Sequence, residues 1–442
     1  MSKKESPSCA FENERVTFKS YINEFTPDLY KEFDLKAEKL GLQSKIDDLF
    51  SGKKVNYTEG LAAWHPKYRN EYNPNFFDTP SKKNQQAELL NIYDLCTASK
   101  NIVTIGIGGS FEGPKMLIEN IDLYHDDMNA TLPIFITGSD SLEFKIKTKK
   151  LNAEDTIFLV SSKSFTTDET ISTLKDAISW SGEMDKFIAI TANKEEAEKY
   201  NIKHIIEFDQ EIGGRYSIWS EISVLMHYLM GDYFDAFMAG GKQADIDLKK
   251  DDSYKKFVKN LSYSDIWLHN YKNKDSRAIL SYIWNFRSFP NYVQQLEMES
   301  LGKQPSTDSE FKKTGQIIFG GYGPRAQHSY FQLLHQGTQG ICADIIASKE
   351  DKKSLAYAQA ITQSKLLSQG AEDLKDQERV NGNIPTNLFL INRTSSYELG
   401  YLVATWEHRT YITAVMLGIN PFDQFGVRAG KIYTKKYLAE KD

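Results

Sequence analysis

Cysteine is scarce in this sequence: Cys9, Cys96 and Cys342 are the three in 442 residues. An odd count, with no two close together, encodes neither a disulfide framework nor a zinc site and fits a reducing compartment. Long apolar runs are missing too. No uncharged apolar stretch approaches the roughly 20 residues needed to cross a bilayer. The opening "MSKKESPSCAFENERV" is polar where a secretory signal would be apolar. The chain is therefore expected to be cytoplasmic, with no membrane partner. Nor is there an excess of basic residues, the formal net charge being -6. That balance argues against nucleic acid as the main partner, yet it leaves room for a small anion held by local cations. Short-period repeats and low-complexity tracts are absent as well.

What is present is the composition of a globular protein, 40% apolar and 26% charged, long enough for two or three compact units. Residues up to about 52 read as helical and charged, with Thr26-Pro27 placed to start a helix. From Asn101 onward, short apolar runs alternate with amphipathic spacers. "NIVTIGIG", "LPIFITG", "DTIFLVSS", "KFIAITAN" and "KHIIEF" form one series. "AILSYIW", "GQIIFGG", "GICADIIA" and "TNLFLIN" form a second. Such alternation predicts an α/β fold with mainly parallel sheets flanked by helices. The "AGGK" ending a helical passage at Gly240 reads as a boundary. The expected division is a helical segment 1–52, α/β units 53–230 and 231–396, and a helix-rich tail 397–442.

Three loops carry chemistry. In "GIGGSFEGP" the glycines Gly106, Gly108, Gly109 and Gly113 follow a strand and precede a helix. Backbone N–H groups at such a turn favour an anion. The dinucleotide fingerprint fails, however, because Phe111 stands where its third glycine belongs. Taken alone, this loop leaves open a tight turn that binds nothing. "LVSSKSFTTDET" supplies five hydroxyls, on Ser161, Ser162, Ser164, Thr166 and Thr167, together with Lys163. One helix start uses one or two caps, so the surplus favours a phosphate over capping. In "EIGGRYSIWSEI", Arg215 lies where a helix begins, an unfavourable place for a cation with a purely structural role. Its guanidinium suits a developing oxyanion, although packing or a pair with Glu211 is the ordinary alternative.

Acid–base candidates come next. In "FPNYVQQLEMESLGK", Gln295 and Glu299 fall one helical turn apart, and Glu297 points elsewhere. A carboxylate to move a proton beside an amide to orient a hydroxyl would suit a sugar, whereas alone such a pair usually marks a solvated face. His328 and His335 are seven residues apart, on one face of a single expected helix. That spacing is wrong for a metal pair. His328 would sit at the helix N-terminus and His335 deeper. Gln424 and Lys431 are likewise seven apart on one expected helix face, and nothing internal raises Lys431 above an ordinary solvated lysine.

In order along the chain, "NYTEGLAAWHPKYR", "GIGGSFEGP", "SSKSFTTDET", "GGRYSIWSEI", "QQLEMESLGK", "QHSYFQLLHQGT" and "NPFDQFGVRAGK" resemble the motifs of the glucose-6-phosphate isomerase family. The resemblance implies two tandem three-layer α/β/α sugar-isomerase (SIS-type) domains and a homodimer whose active site lies at the domain and subunit interface. It implies interconversion of glucose 6-phosphate and fructose 6-phosphate through a cis-enediolate, a step of glycolysis and gluconeogenesis, with no cofactor and no metal. By position, Ser110, Ser162, Ser164 and Thr167 would hold the substrate phosphate, with Lys163 in the same loop, Gly109 lining the pocket and Glu169 supporting it. Arg215 would stabilise the enediolate, and Glu299 would carry the proton between C2 and C1. His328 and Lys431 would assist ring opening, while Gln295 and Gln424 would contact the sugar. Three places depart from the family pattern: Leu61 stands for an arginine, Leu301 for an asparagine, and the run Gly323–Gln327 differs, bringing in Arg325. Two other classes compete with this reading. A non-catalytic sugar-phosphate sensor would not need Arg215, Glu299, His328 and Lys431 together, and a nicotinamide dehydrogenase is disfavoured by the broken glycine fingerprint.

Overall fold

The computed structural model describes residues 7–72, 86–121, 132–371 and 374–440. The polar residues 1–6 that open the chain lie outside this set. Among the described residues there are eleven strands: β1 (Cys9–Glu12), β2 (Val16–Ser20), β3 (Asn101–Ile105), β4 (Ile134–Ile136), β5 (Thr156–Ser161), β6 (Phe187–Thr191), β7 (His204–Glu207), β8 (Ser276–Ser281), β9 (Ile317–Tyr322), β10 (Ile341–Ser348) and β11 (Thr386–Ile391). They build two sheets, ordered β4-β3-β5-β6-β7 and β1-β2-β11-β10-β8-β9. All pairs in the first are parallel, as are those joining β8 to β11 in the second. The nine short apolar runs correspond to the nine strands β3 to β11. β5 and β6 are buried along their whole length, as expected of strands covered by helices on both faces.

The start of the chain departs from expectation. Residues read as helical form the β1–β2 hairpin, whose second strand pairs antiparallel with β11. Alternating Val16, Thr17, Phe18 and Lys19 is a strand pattern, hidden in the sequence by the charged residues around it. Helices do follow, at Pro27–Lys39 with Thr26 as its N-cap and at Leu42–Phe50.

The "AGGK" stretch is not a boundary. It lies inside the helix Asp232–Lys250, where that helix crosses Ser396–Leu417. A Cβ on Gly240 would fall 1.9 Å from the Tyr397 carbonyl oxygen, and one on Gly400 would fall 2.0 Å from that of Phe237. The glycines are there so that two backbones can touch. The helix Ser396–Leu417, with which the expected tail opens, is buried along nearly its whole length. One apolar core runs through both halves of the chain, including Leu117, Ile188, Trp219, Phe237, Val293 and Trp406.

Burying that helix also buries its charges, which must then be paired. Arg409 donates to Asp265 and Asp344 at 2.6 to 2.8 Å. Glu407 accepts from Arg69 Nη1 at 2.5 Å and Trp219 Nε1 at 2.7 Å, and Arg69 forks onto Asp245 at 2.6 and 2.8 Å. Among the described residues no helix is long and apolar enough to cross a membrane.

Candidate active site

In the first sheet β3 and β5 are neighbours, yet the chain leaves β3 for β4 on one side and β5 for β6 on the other. This is the topological switch point, where the loops beyond the strand ends open a crevice. The glycine loop and the hydroxyl loop are the two loops that face each other there.

The glycine loop meets a third segment. Gly109 begins the helix Gly109–Ile121, and a Cβ on it would lie 1.8 Å from the Gly214 carbonyl oxygen. Its missing side chain therefore admits the Gly213-Gly214-Arg215 segment, a role more specific than room for a ligand. Ser110 follows half-buried in the first turn, and the Gln295 amide packs over Gly108.

In the hydroxyl loop Phe165 is buried and adopts φ 52°, a left-handed conformation that turns its neighbours outward. Ser164 Oγ accepts from Thr166 N at 3.3 Å and Thr166 Oγ1 at 2.9 Å. Thr167 occupies the N-cap of Asp168–Ser181, but its side chain makes no capping hydrogen bond. Its hydroxyl instead lies 3.2 Å from Ser162 Oγ. Hydroxyls gathered at a helix N-terminus and not spent on capping suit an anion. Glu169 is in the first turn of that helix. Lys163 turns away: its ammonium donates to the Gln210 carbonyl at 2.7 Å, and burial pushes its pKa down against the pull of Glu59 and Glu211.

Arg215 is buried in the short 3-10 helix Gly214–Trp219. It pairs with Glu299, not Glu211, Nη1 donating to Glu299 Oε2 at 3.0 Å. The same Nη1 donates to Gln424 Oε1 at 2.5 Å, Nε to Ser300 Oγ at 2.8 Å, and Nη2 to the carbonyls of Pro421 at 2.6 Å and Asp423 at 2.8 Å. Glu299 sits on the helix Phe289–Leu301, and Gln295 Nε2 donates to its Oε2 at 3.3 Å. Glu297 is on the opposite side, buried and paired with Arg277, so the back of the helix is anchored while its front faces the crevice.

Two expected helices prove discontinuous. His328 caps the C-terminus of a five-residue helix Gly323–Gln327, and His335 belongs to a separate helix, Phe331–Gln336, where its Nε2 meets Gln363 Oε1 at 2.9 Å. His328 is exposed, and among the described residues no hydrogen bond or ion pair joins it to Arg215 or Glu299. Gln424 precedes a 3-10 turn at Phe425–Val427, and a new helix, Arg428–Ala439, carries Lys431. Gln424 and Lys431 therefore do not share a helix face. Gly426 and the change of helix type break the register that a seven-residue spacing assumes. One turn beyond Lys431, Lys435 lies 3.3 Å from Asp168, which ties this exposed helix to the start of Asp168–Ser181.

Of the departures, Leu61 bridges Asn56 through the backbone, and Leu301 is buried in the core. The spacing rules did not single out Ser300, Tyr216, Lys303 or Asn420. Ser300 was detectable as the small polar residue beside Glu299; it accepts from Arg215 and lies 3.1 Å from Tyr216 OH.

A sequence profile described as Phosphoglucose isomerase matches residues 19–442. The glucose-6-phosphate isomerase of Wigglesworthia glossinidia brevipalpis is 32% identical over 467 residues, covering 94% of this chain and 85% of that protein. That of Neurospora crassa is 33% identical over 460 residues, covering 92% and 81%. The crystal structure of a glucose-6-phosphate isomerase from Chlamydia trachomatis superposes with a TM-score of 0.84 at 23% identity, over 98% of this chain and 90% of that one. With the profile spanning nearly its whole length, the chain belongs to the phosphoglucose isomerase family.

Proposed function

We propose that this protein interconverts D-glucose 6-phosphate and D-fructose 6-phosphate. The observation that carries the reading is the Arg215–Glu299 pair at 3.0 Å, flanked by Gln295 and Gln424 and set beside two anion-suited loops. Aldose–ketose exchange removes a proton next to a carbonyl and returns it to the neighbouring carbon. One carboxylate serves both steps, and a fixed cation stabilises the enediolate between them. In this reading Glu299 moves the proton and Arg215 faces the enediolate oxygen. Gln295 and Gln424 contact the sugar hydroxyls.

Ser110, Ser162, Ser164 and Thr167 hold the phosphate, a remote handle whose binding energy orients the reacting carbons. Gly109 lines the pocket by letting the Arg215 segment approach. Lys163 acts through the loop it anchors at Gln210, and Glu169 supports that loop from its first helical turn. Lys431 approaches from the last helix to assist ring opening. His328, exposed and apart from this cluster, is supplied by the partner in a homodimer. A cytoplasmic, glycolytic and gluconeogenic setting accompanies this activity.

A coupled assay of fructose 6-phosphate isomerisation with the purified protein tests the proposal. Turnover is expected, and its absence with active controls would refute the reading.

A further inference from the structure

Arg215 has five N–H donors, and their acceptors divide into two groups. Nη1 faces the crevice, toward Glu299 and the exposed Gln424, while Nε and Nη2 are held from behind by Ser300 and by the carbonyls of Pro421 and Asp423. Those two carbonyls belong to an irregular stretch between the buried helix Ser396–Leu417 and the 3-10 turn Phe425–Val427. Something must therefore fix them.

Asp423 is 7% exposed, and its carboxylate is gripped from two distant parts of the chain. Oδ2 accepts from Thr58 Oγ1 at 2.8 Å, and Oδ1 accepts from Lys303 Nζ at 2.9 Å. Lys303 Nζ also donates to the Asp423 carbonyl, the one that receives Arg215 Nη2. Asn420 braces the start of the stretch, its Nδ2 donating to Asn56 Oδ1 at 2.8 Å and Thr58 Oγ1 at 2.6 Å.

We propose that Asp423 is a positioning residue for the isomerisation. Clamped between Thr58 and Lys303, it fixes the carbonyls that aim Arg215, so that Nη1 is presented where the enediolate oxygen develops. The inference rests on the proposed function and names a residue that touches no reacting atom. Both carboxylate oxygens are needed as acceptors: an asparagine keeps one acceptor and turns an amide N–H₂ toward Thr58 or Lys303. Stabilisation of a developing charge depends steeply on donor placement, and a shift of about 1 Å costs on the order of 100-fold in rate.

The test uses the full-length protein, with fructose 6-phosphate as substrate and two competitive inhibitors. One is 5-phospho-arabinonate, whose carboxylate imitates the enediolate; the other is inorganic phosphate, which reports on the hydroxyl loop alone. Asp423→Ala should lower kcat by on the order of 100-fold and leave KM nearly unchanged. Inhibition by 5-phospho-arabinonate should weaken in step with kcat, and inhibition by phosphate should hold. Asp423→Asn preserves the side-chain volume and decides the matter where alanine fails to fold; it should lose activity in the same pattern, to a smaller degree. Wild-type kcat in a folded variant, or equal weakening of both inhibitors, would overturn the proposal. A wild-type protein without turnover would instead remove the functional reading, an outcome distinct from an active wild type with unaffected variants.

Discussion

Glu299 Oε2 lies 3.0 Å from Nη1 of Arg215, a guanidinium whose remaining donors are held by a neutral hydroxyl, an amide and two carbonyls. Among the described residues the carboxylate is thus the one anion bonded to this cation. In the proposed reaction Glu299 takes a proton from the sugar, its charge moves to the enediolate, and Arg215 remains beside the negative charge before and after the step. No new cation has to be recruited at the transition state, the condition under which fixed charges contribute most.

Replacing the base without changing its shape follows directly. Glu299→Gln should reduce kcat by roughly 10²- to 10⁴-fold, the usual weight of a positioned acid–base group. Competition by inorganic phosphate should persist, because the hydroxyl loop is untouched. Steady-state kinetics with phosphate inhibition checks both, and wild-type turnover in the variant would exclude Glu299 as the base.

Arg215→Lys retains the charge but not the fork. An ammonium has three donors where the arginine has five, so acceptors behind the side chain are left unpaired. We expect kcat/KM to fall by about 10²- to 10³-fold and folding stability by about 1–3 kcal/mol. Kinetics and denaturant unfolding of the same preparation separate the two losses.

Two glycines in contact should respond in opposite ways. Gly109→Ala places a methyl 1.8 Å from the Gly214 carbonyl oxygen, backbone against backbone, whereas a Cβ on Gly214 meets nothing within 4 Å. Gly109→Ala should separate the glycine loop from the Arg215 segment and lose most activity, and Gly214→Ala should keep it. Similar kcat values for the two variants would contradict this reading of the loop.

Mild acid should destabilise the fold through its buried histidines. Burial, with Arg69 and His408 nearby, holds the His65 imidazole well below its usual 6.5, although Glu407 lies 4.0 Å away. Burial also lowers His408, outweighing its bond to Asp245. Below pH 6.5 the unfolded chain takes up protons that the folded chain refuses, so stability falls as pH drops through that value. Each neutral histidine contributes up to about 1.4 kcal/mol per pH unit. Urea midpoints from about pH 7.5 down to about 5.5 should decline, and His65→Gln should flatten the slope.

If a partner supplies His328, two inactive variants should rescue each other. Glu299→Gln and His328→Ala chains, unfolded together and refolded, form hybrids with one intact site. Regained activity in the mixture, absent from either variant refolded alone, is the expected result.

Strands such as β5 and β6 were legible because a strand buried on both faces must be apolar along its length, which is a local property. The β1–β2 hairpin was not, since its strands have four and five residues and only β2 joins the sheet, through β11, more than 360 residues away. Gly240 looked like a linker for the same reason: its partner is Tyr397, and no sequence window contains both. Helix continuity misled at His328 and Gln424, where a spacing of seven residues implies a shared face only if the helix is unbroken.

The sequence by itself determined which chemical groups are present and on which loops: hydroxyls after one strand, glycines after another, a carboxylate one turn from an amide. Tertiary structure alone decided that Arg215 bonds Glu299 rather than Glu211, that Lys163 turns to Gln210, and that Asp423, Thr58 and Lys303 meet behind the guanidinium. The reason is physical. Backbone propensity and burial pattern act over a few residues, whereas a charge finds its partner through the packing of segments that are distant in the chain.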